Sequence, residues 1–419
     1  MKIGFVSMPL TGHLNPMTAL ARKLQSRGHE VVFFGLPDAE SIVRAAQLKF
    51  VPFCEKEYPT GSITKEYAGL AKLHGIDVLR HSAEQLHPAR LKASLEHLPG
   101  KLKETRVDGL VIDTIHFFIE LVPMSLDIPY VHVWNVLHLD RTGATPPSFF
   151  SWPYETSPEA VARNIDGLKT IGSFLAPVFS VAKSYAEKTG LQIDWSDPGA
   201  TVSKLAVITQ TPKKFDFPIN CNWPPQFHYT GPLHDGNGRE EIPFPWEKLT
   251  GAPLIYASLG TLVNGLEHIF RRILEAAAAI PETQLVLSIG NNIGINDLGP
   301  IPANAIVVPR APQIELLKRA SLCITHAGLN TALEALAQGV PMVAIPIGFD
   351  QPGVAARIAH HGVGEFVEVD DLTTAILSEL IHRVRSNPVY RAKALYFKNV
   401  IGDAHALDAA ANVVERAFR

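Results

Sequence analysis

The amino-acid sequence predicts an α/β fold made of two facing Rossmann-like halves, each with a parallel sheet. Short, continuous apolar segments alternate with helical patterns in residues 2–50, as in parallel sheets that are covered on both faces. The same alternation restarts after residue 250, and proline, glycine, asparagine and charged residues crowd the segment 209–250 between the halves. The 419 residues are enough for two or three domains.

The first half begins with the strand KIGFVSMP, which is followed by a short polar loop and the helix LNPMTALARKLQSRG. Pro16 suits the first turn of this helix, and apolar residues recur after it at helical spacing. We therefore expect Gly12 and His13 in the loop that precedes the helix. The strands HEVVFFGL, VDGLVIDT and PYVHVWN follow, with the helix SIVRAAQL after the first of them.

The second half contains the strands PLIYASLGT, TQLVLSIG, AIVVP, SLCITHAG and PMVAIPI, with helices such as EHIFRRILEAAAAI between them. The predicted parts of the chain are a first domain at 1–208, a linker at 209–250, a second domain at 251–395 and a helical end at 396–419. Two irregular helical stretches, 55–100 and 135–200, are expected to be insertions around a cavity. The histidines expected to be solvated in the first stretch are His74, His81, His87 and His97.

The composition limits the classes of partner and compartment. A net charge of −3 without a long basic run excludes the electrostatic footprint of a nucleic-acid-binding protein. Cys54, Cys221 and Cys323 lie too far apart for a disulfide framework or a zinc motif, so we expect a cytoplasmic protein. The apolar run after Met1 is too short for a signal peptide, and no run is long enough for a transmembrane segment. Peripheral contact with a membrane stays open.

Small and polar residues mark one edge of the second predicted sheet. His326 and Gly328 follow the strand SLCIT, and a helix begins near Asn330 and Thr331. Backbone N–H groups at a helix N-terminus bind anions, and hydroxyl and imidazole groups can add donors. Glu334 lies about one turn further along and suits a pair of ribose hydroxyls. The alternative is a capped helix beside a buried histidine.

Two neighbouring strand ends carry further polar residues. The segment ASLGT places Ser258, Gly260 and Thr261 where they can supply a second set of phosphate donors. Asp350 and Gln351 follow the strand PMVAIPI, and a carboxylate beside an amide offers acceptors and donors to sugar hydroxyls. Ordinary turn chemistry is the alternative for these two residues. Neither the GxGxxG spacing of dinucleotide sites nor the P-loop pattern occurs at these strand ends.

The stretch RAPQIELLKRASLCITHAGLNTALEALAQGVPMVAIPIGFDQ resembles the donor signature of the family 1 UDP-dependent glycosyltransferases. That signature runs W-x-P-Q, then H-x-G-x-N-[ST]-x-x-E, then [DE]-Q. Its last two blocks match this chain in identity and in spacing, and the N-terminal GHLNP matches the family's other hallmark. Within the family, this stretch is closer to bacterial members such as the zeaxanthin glucosyltransferases and the macrolide glycosyltransferases.

The resemblance implies the GT-B fold, a UDP-sugar as the co-substrate, no metal and no other cofactor. It also implies that the last helix returns to the first domain. The residues that it places around the UDP are Ser258, Gly260, Thr261, Arg310, Ala311, Gln313, His326, Gly328, Asn330, Thr331 and Glu334.

Within that set, the resemblance assigns Arg310 and Ala311 to the uracil and Glu334 to the ribose, and it assigns Asp350 and Gln351 to the donor sugar. Arg310 departs from the plant pattern, which has tryptophan there. A guanidinium can stack on a base, so uridine can still bind, but strict selectivity for uracil stays open.

A histidine and an aspartate at the edge of the first predicted sheet suggest the chemistry. Transfer of a sugar to an alcohol needs a base for the hydroxyl proton, and histidine serves near neutral pH when a carboxylate fixes its tautomer. His13 and Asp113 both follow carboxyl ends of parallel strands, so they can meet although one hundred residues separate them. The family's dyad occupies the same two positions. Helix capping is the alternative for each residue.

The acceptor pocket is expected in the first domain and to be apolar. The residues favoured as its lining are Gly12, Phe117, Trp134 and Phe150, with a place in the core as the alternative for the aromatic ones.

The sequence therefore predicts an inverting glycosyltransferase. It would move a sugar, with glucose favoured, from a UDP-sugar to a hydroxyl of a lipophilic small molecule such as a flavonoid, carotenoid, terpenoid or polyketide. The alternatives are a UDP-sugar epimerase of the same fold and a non-catalytic protein that binds nucleotide sugars.

Overall fold

The computed structural model describes residues 1–218 and 223–419, so Cys221 lies outside the described residues. Two sheets organise the chain, and every strand pairing in them is parallel. Alternate residues of the first strand enter different hydrophobic clusters: Ile3 and Phe5 pack on one face of the sheet and Val6 on the other. Both faces are therefore covered, which is why these strands are apolar throughout.

The first sheet has seven strands in the order β3-β2-β1-β4-β5-β6-β7. They are β1 (Lys2–Val6), β2 (Glu30–Gly35), β3 (Lys49–Pro52), β4 (Gly109–Asp113), β5 (Tyr130–Trp134), β6 (Val207–Thr209) and β7 (Phe227–Tyr229). The second sheet has six strands in the order β10-β9-β8-β11-β12-β13. They are β8 (Leu254–Ser258), β9 (Gln284–Ser288), β10 (Ala305–Val308), β11 (Ala320–Thr325), β12 (Met342–Ala344) and β13 (Gly364–Phe366).

The helices lie between the strands and follow the last one. Those before β8 are α1 (Thr11–Ser26), α2 (Glu40–Ala45), α3 (Ser62–Ala68), α4 (Ile76–His81), α5 (His87–Thr105), α6 (Leu121–Ser125), α7 (Pro158–Phe174) and α8 (Ala176–Thr189). Those after β8 are α9 (Glu267–Ala278), α10 (Gln313–Leu317), α11 (Leu329–Ala337), α12 (Gln351–His360), α13 (Thr374–Ser386), α14 (Pro388–Gly402) and α15 (Ala406–Ala417). The α/β class and the two parallel sheets predicted from the sequence are confirmed.

The segment 209–250, predicted as a linker, contributes to the first sheet. Its residues Phe227–Tyr229 form β7, which pairs with β6 in parallel register. At three residues, β7 is too short to show a periodic pattern among the surrounding prolines.

The first helix begins earlier than the sequence suggests. We expected Gly12 and His13 in a loop before the helix LNPMTALARKLQSRG, but α1 begins at Thr11 and holds both residues in its first turn. Pro16 has no N–H to donate to the carbonyl of Gly12, its partner in the helix. Instead, the side-chain amide of Asn330, in the facing domain, donates to that carbonyl. An external donor thus compensates for a proline inside the helix.

Several hydrogen bonds join the two domains around the cleft. The backbone N–H of Gly353 donates to Ser148 O at 2.8 Å, and that of Gly75 donates to Ile347 O at 2.6 Å. Because Asn330 also contacts Gly12, the N-terminus of α11 lies directly opposite the N-terminus of α1.

The last helix lies against the first domain. Ala410 and Val414 of α15 share a hydrophobic cluster with residues of α1. Arg27, just after α1, donates to Asp408 at 2.6 Å and to Glu415 at 3.1 Å. These contacts tie the end of the chain to the helix that carries His13.

Helix length and hydropathy bear on membrane association. Within the described residues, no single helix is long and apolar enough to cross a membrane, although the bent pair α7 and α8 passes the same test when taken together.

Candidate active site

His13 and Asp113 meet at the carboxyl edge of the first sheet. His13 Nδ1 lies 2.8 Å from Asp113 Oδ2, and Ser7 Oγ donates to the same carboxylate oxygen at 2.8 Å. Ser7 follows β1 and Asp113 ends β4, and these two strands are neighbours in the sheet. The contact expected from their shared edge is therefore present. An ionised carboxylate only accepts, so Nδ1 carries the proton and Nε2 is free to accept one.

The surroundings make this pair a suitable base. Burial alone lowers the pKa of His13, but the charge and hydrogen bond of Asp113 outweigh it and hold the pKa above its ordinary value of 6.5. Burial alone raises the pKa of Asp113, but His13 and the hydroxyl of Ser7 keep it below its ordinary value. The carboxylate thus stays ionised and stabilises a proton on the imidazole.

Asp350 approaches this pair from the facing domain. Its negative charge contributes to the raised pKa of His13, and its carboxylate accepts from the backbone N–H of Leu137, in the first domain, at 2.9 Å. Gln351 Oε1 accepts from the backbone N–H groups of Ile347 and Gly348 at 2.9 and 3.0 Å. The side-chain carbonyl of Gln351 thus stabilises the turn that leads into α12, and its role toward the donor sugar stays a prediction.

The glycines predicted around the diphosphate make room for His326. A Cβ on Gly260 would lie 2.7 Å from His326 Nε2, and a Cβ on Gly328 would lie 2.5 Å from it. Burial lowers the pKa of His326 to about 4, so the ring is neutral at physiological pH. Its Nδ1 is buried without a hydrogen-bond partner in the described chain. An unpaired buried nitrogen is costly, which fits a position that a ligand completes.

The residues predicted near the nucleoside form a hydrogen-bonded group. Gln313 Nε2 donates to Glu334 Oε2 at 2.7 Å and to Thr331 Oγ1 at 3.3 Å, and Tyr256 donates to Gln313 Oε1 at 3.1 Å. Glu334 is 3% exposed. Asn330 contacts Gly12 and accepts from Gln210 at 2.8 Å, so its amide spans the cleft.

Two residues at this site were not predicted from the sequence. Arg239 donates to Glu334 Oε1, and Glu240 accepts from Arg310 at 2.9 Å. Both belong to the segment predicted as a linker, where no periodicity or motif indicates which side chains turn inward. An arginine beside a glutamate in REE was the only signal.

The predicted acceptor residues lie in different surroundings. Phe150 stacks on Trp152 with ring centroids 4.1 Å apart, and both rings lie against Gly167 of α7. Trp134 ends β5 and is half-buried. Gly12 lies beside Asn330. None of these contacts tests an acceptor role, which stays a prediction.

Phe117, which follows β4, lines a small cavity. Its other lining residues are Met8, His87, Arg90, Leu91, His116 and Val178. The expectation that His87 is solvated is wrong: its ring is buried, lies 5.2 Å from that of Phe117 and bonds to Ser82 at 3.0 Å. The helical stretch 55–100 folds this histidine toward the sheet.

One group of possible metal ligands lies away from these residues. Within the described chain, Cys54, Glu57 and His97 bring one ligand atom each within 4.8 Å of one another. Burial raises the pKa of the Cys54 thiol to about 12, so it is protonated at neutral pH, whereas a metal needs the thiolate. The expectation that transfer needs no metal stays a prediction.

Known proteins match this chain over its whole length. The family model described as "UDP-glucoronosyl and UDP-glucosyl transferase" matches residues 2–419. The zeaxanthin glucosyltransferase of Pantoea ananas is 27% identical over 98% of this chain and 94% of its own length. The demethyllactenocin mycarosyltransferase of Streptomyces fradiae is 28% identical over 99% of this chain and 86% of its own length.

A solved structure has the same architecture. The glycotransferase of kitacinnamycin aligns with a TM-score of 0.76 at 23% identity and covers 100% of this chain and 99% of its own. At this identity the similarity concerns the fold, and it confirms the predicted GT-B arrangement.

Proposed function

The chain belongs to the UDP-glucuronosyl and UDP-glucosyl transferase family and is a glycosyltransferase, and from this premise we propose that it transfers a sugar from a UDP-sugar to a hydroxyl of a lipophilic small molecule, with inversion at the anomeric carbon. The observation that carries this proposal is the pair of His13, partly buried, and Asp113, fully buried, whose side chains are 2.8 Å apart and which faces Asp350 of the other domain.

In the proposed reaction, the acceptor oxygen attacks the anomeric carbon from the face opposite the diphosphate. The hydroxyl proton passes to His13 Nε2, the new C–O bond forms and the bond to the diphosphate oxygen breaks, so that UDP leaves with the bonding electrons. Asp113 stabilises the imidazolium, as a carboxylate does in hydrolase triads. A base of this kind contributes about 10²–10⁴-fold to the rate.

The leaving diphosphate needs donors that are already in place. The start of α11 offers unpaired backbone N–H groups and the positive end of the helix dipole. The unpartnered His326 Nδ1 lies close by and can add a hydrogen bond. Preorganised donors of this type lower the barrier because they need no reorganisation during bond breaking.

The names of two relatives and the apolar residues that follow β1 and β4 support a lipophilic acceptor. Two relatives are named for zeaxanthin and for demethyllactenocin. In this chain, Met8 and Phe117 follow β1 and β4, the strands that lead to Ser7 and Asp113, and they line one small cavity. Glucose is the favoured donor sugar because Gln351 follows the family's glucose-preferring pattern.

The proposal is tested by incubating the protein with UDP-glucose and a panel of flavonoids, carotenoid diols, sterols and polyketides, with products read by mass spectrometry. We expect at least one acceptor to gain a hexosyl unit. No product, together with no thermal shift on adding UDP, contradicts the proposal. UDP binding without transfer supports a non-catalytic binding protein, and a changed sugar without an acceptor supports an epimerase.

The pH dependence follows from the state of His13. The imidazole must be neutral to accept the proton, and its pKa lies above 6.5. We therefore expect kcat/KM to rise with pH along an acid limb whose midpoint is above 6.5. Initial rates across a buffer series check this, and a midpoint well below 6.5 contradicts it.

Chelation is expected to leave the activity intact. The proposed donors to the diphosphate are protein groups, so incubation with EDTA followed by desalting should not change kcat. A loss of activity that added Mg²⁺ restores contradicts this expectation.

A further inference from the structure

The segment between the domains touches the donor site at two points. We call residues 234–240 the interdomain segment. Arg239 donates to Glu334, the carboxylate assigned to the ribose, and Glu240 accepts from Arg310, the residue assigned to the base. Two residues of one segment thus contact two residues of the proposed nucleoside site.

Helix α1, which carries His13, holds the interdomain segment in place. Arg22 of α1 donates to Asp235 Oδ1 and to the carbonyl of Asn237, both at 2.8 Å. Gly238 has φ +68°, and a Cβ there would lie 2.7 Å from Arg22 Cζ. The left-handed φ of Gly238 favours glycine at this turn, and the bonds from Arg22 fix the segment against α1 while Arg239 reaches the other domain.

Among the described residues, none of those assigned to the diphosphate is a lysine or an arginine. These residues are uncharged, and His326 is neutral because burial lowers its pKa to about 4. A UDP-sugar brings about two negative charges to this place. Arg310 is half exposed and paired with Glu240, whereas Arg239 is the more buried of the two arginines and bonds to Glu334 within the site.

The distance from Arg239 to the phosphate-binding end of α11 is short. Glu334 lies three residues after Thr331, less than one helical turn of 5.4 Å. Gln313 Nε2 touches both side chains. The charges of Glu334 and Arg239 shift the pKa of His234 in opposite directions. His234 Nε2 is buried and has no hydrogen-bond partner in the described chain. The interdomain segment therefore presents a second unsatisfied polar atom beside the site.

We propose that Arg239 is a donor-binding residue that moves from Glu334 to the diphosphate when the UDP-sugar binds. This exchange supplies the positive charge that the described residues assigned to the diphosphate lack and frees Glu334 for the ribose hydroxyls. The inference rests on the proposed function, which places the nucleotide beside Glu334. It adds a residue from the interdomain segment to a site otherwise built from the second domain.

The test measures binding of uridine, UMP and UDP to the full chain by calorimetry, in the wild type and in Arg239→Gln and Arg239→Lys. A charged hydrogen bond to phosphate predicts that Arg239→Gln loses roughly 10- to 100-fold in UDP affinity. Uridine affinity should stay the same or rise, since Glu334 is released. The UDP affinity of Arg239→Lys should lie between those of the wild type and Arg239→Gln, because lysine keeps the charge but not the fork geometry of the guanidinium.

The control is Arg44→Gln, which removes an equal charge from an exposed ion pair with Glu40 on α2. It should bind all three ligands like the wild type, and thermal unfolding should show that every variant is folded. Unchanged or tighter UDP binding by Arg239→Gln overturns the inference, as does an equal loss for uridine and UDP. If the wild type itself binds no UDP, the proposed function fails with it.

Discussion

Replacing His13 with alanine lowers kcat by about 10²–10⁴-fold while the affinity for UDP stays unchanged. In the proposed mechanism the imidazole takes the proton of the acceptor hydroxyl, and it belongs to the domain that faces the residues assigned to the nucleotide. Steady-state kinetics give kcat, and calorimetry gives the affinity for UDP. The matched control is His382→Ala on α13, which removes an exposed histidine from the second domain.

A loss of UDP binding in His13→Ala would show that the residue supports the donor site rather than the acceptor. Full retention of transfer to an alcohol would remove His13 from the mechanism while leaving the fold and the family unaffected.

Asp113→Asn is expected to lower kcat by about 10²–10⁴-fold and to move the acid limb of the pH profile to lower pH. The amide keeps the size of the side chain but loses the charge that raises the pKa of His13. Burial then dominates and lowers that pKa, so the imidazolium formed in the reaction is less stable. The pH dependence of kcat/KM for the variant measures both effects.

Ser7→Ala is the companion variant, since it removes one hydrogen bond to the Asp113 carboxylate and leaves the charge in place. Ser7→Ala should lower kcat far less than Asp113→Asn does. An Asp113→Asn profile with an unshifted limb would mean that the carboxylate holds the local structure without setting the basicity of His13.

The contact between His13 and Asp113 could be predicted from the sequence because it depends on topology. His13 and Asp113 follow strands that pair directly in a parallel sheet, and such strands present their carboxyl ends at one edge. Polar residues that follow the strands therefore indicate which edge of the sheet faces the cleft. The two sheets were predictable for the same reason, since their strands are short, apolar and separated by helices.

The first turn of α1 was not predictable from local signals. No side chain caps the helix at Leu10, and Pro16 is the strongest start signal in the stretch. The turn is completed by Asn330, which lies in the other domain and donates to Gly12. A contact between residues more than three hundred positions apart leaves no local trace in the sequence.

Arg239 was missed for a related reason. Its contact with Glu334 depends on the path of a segment without regular structure, which Arg22 and Gly238 fix against α1.

The central claim is that His13 removes a proton from the acceptor, and acceptors of different acidity test it most directly. Wild type and His13→Ala are compared on an aliphatic alcohol and on a nitrophenol that is already ionised at the assay pH. We predict that the variant loses about 10²–10⁴-fold on the alcohol and far less on the nitrophenol, which needs no base. Equal losses on the two acceptors would contradict the claim.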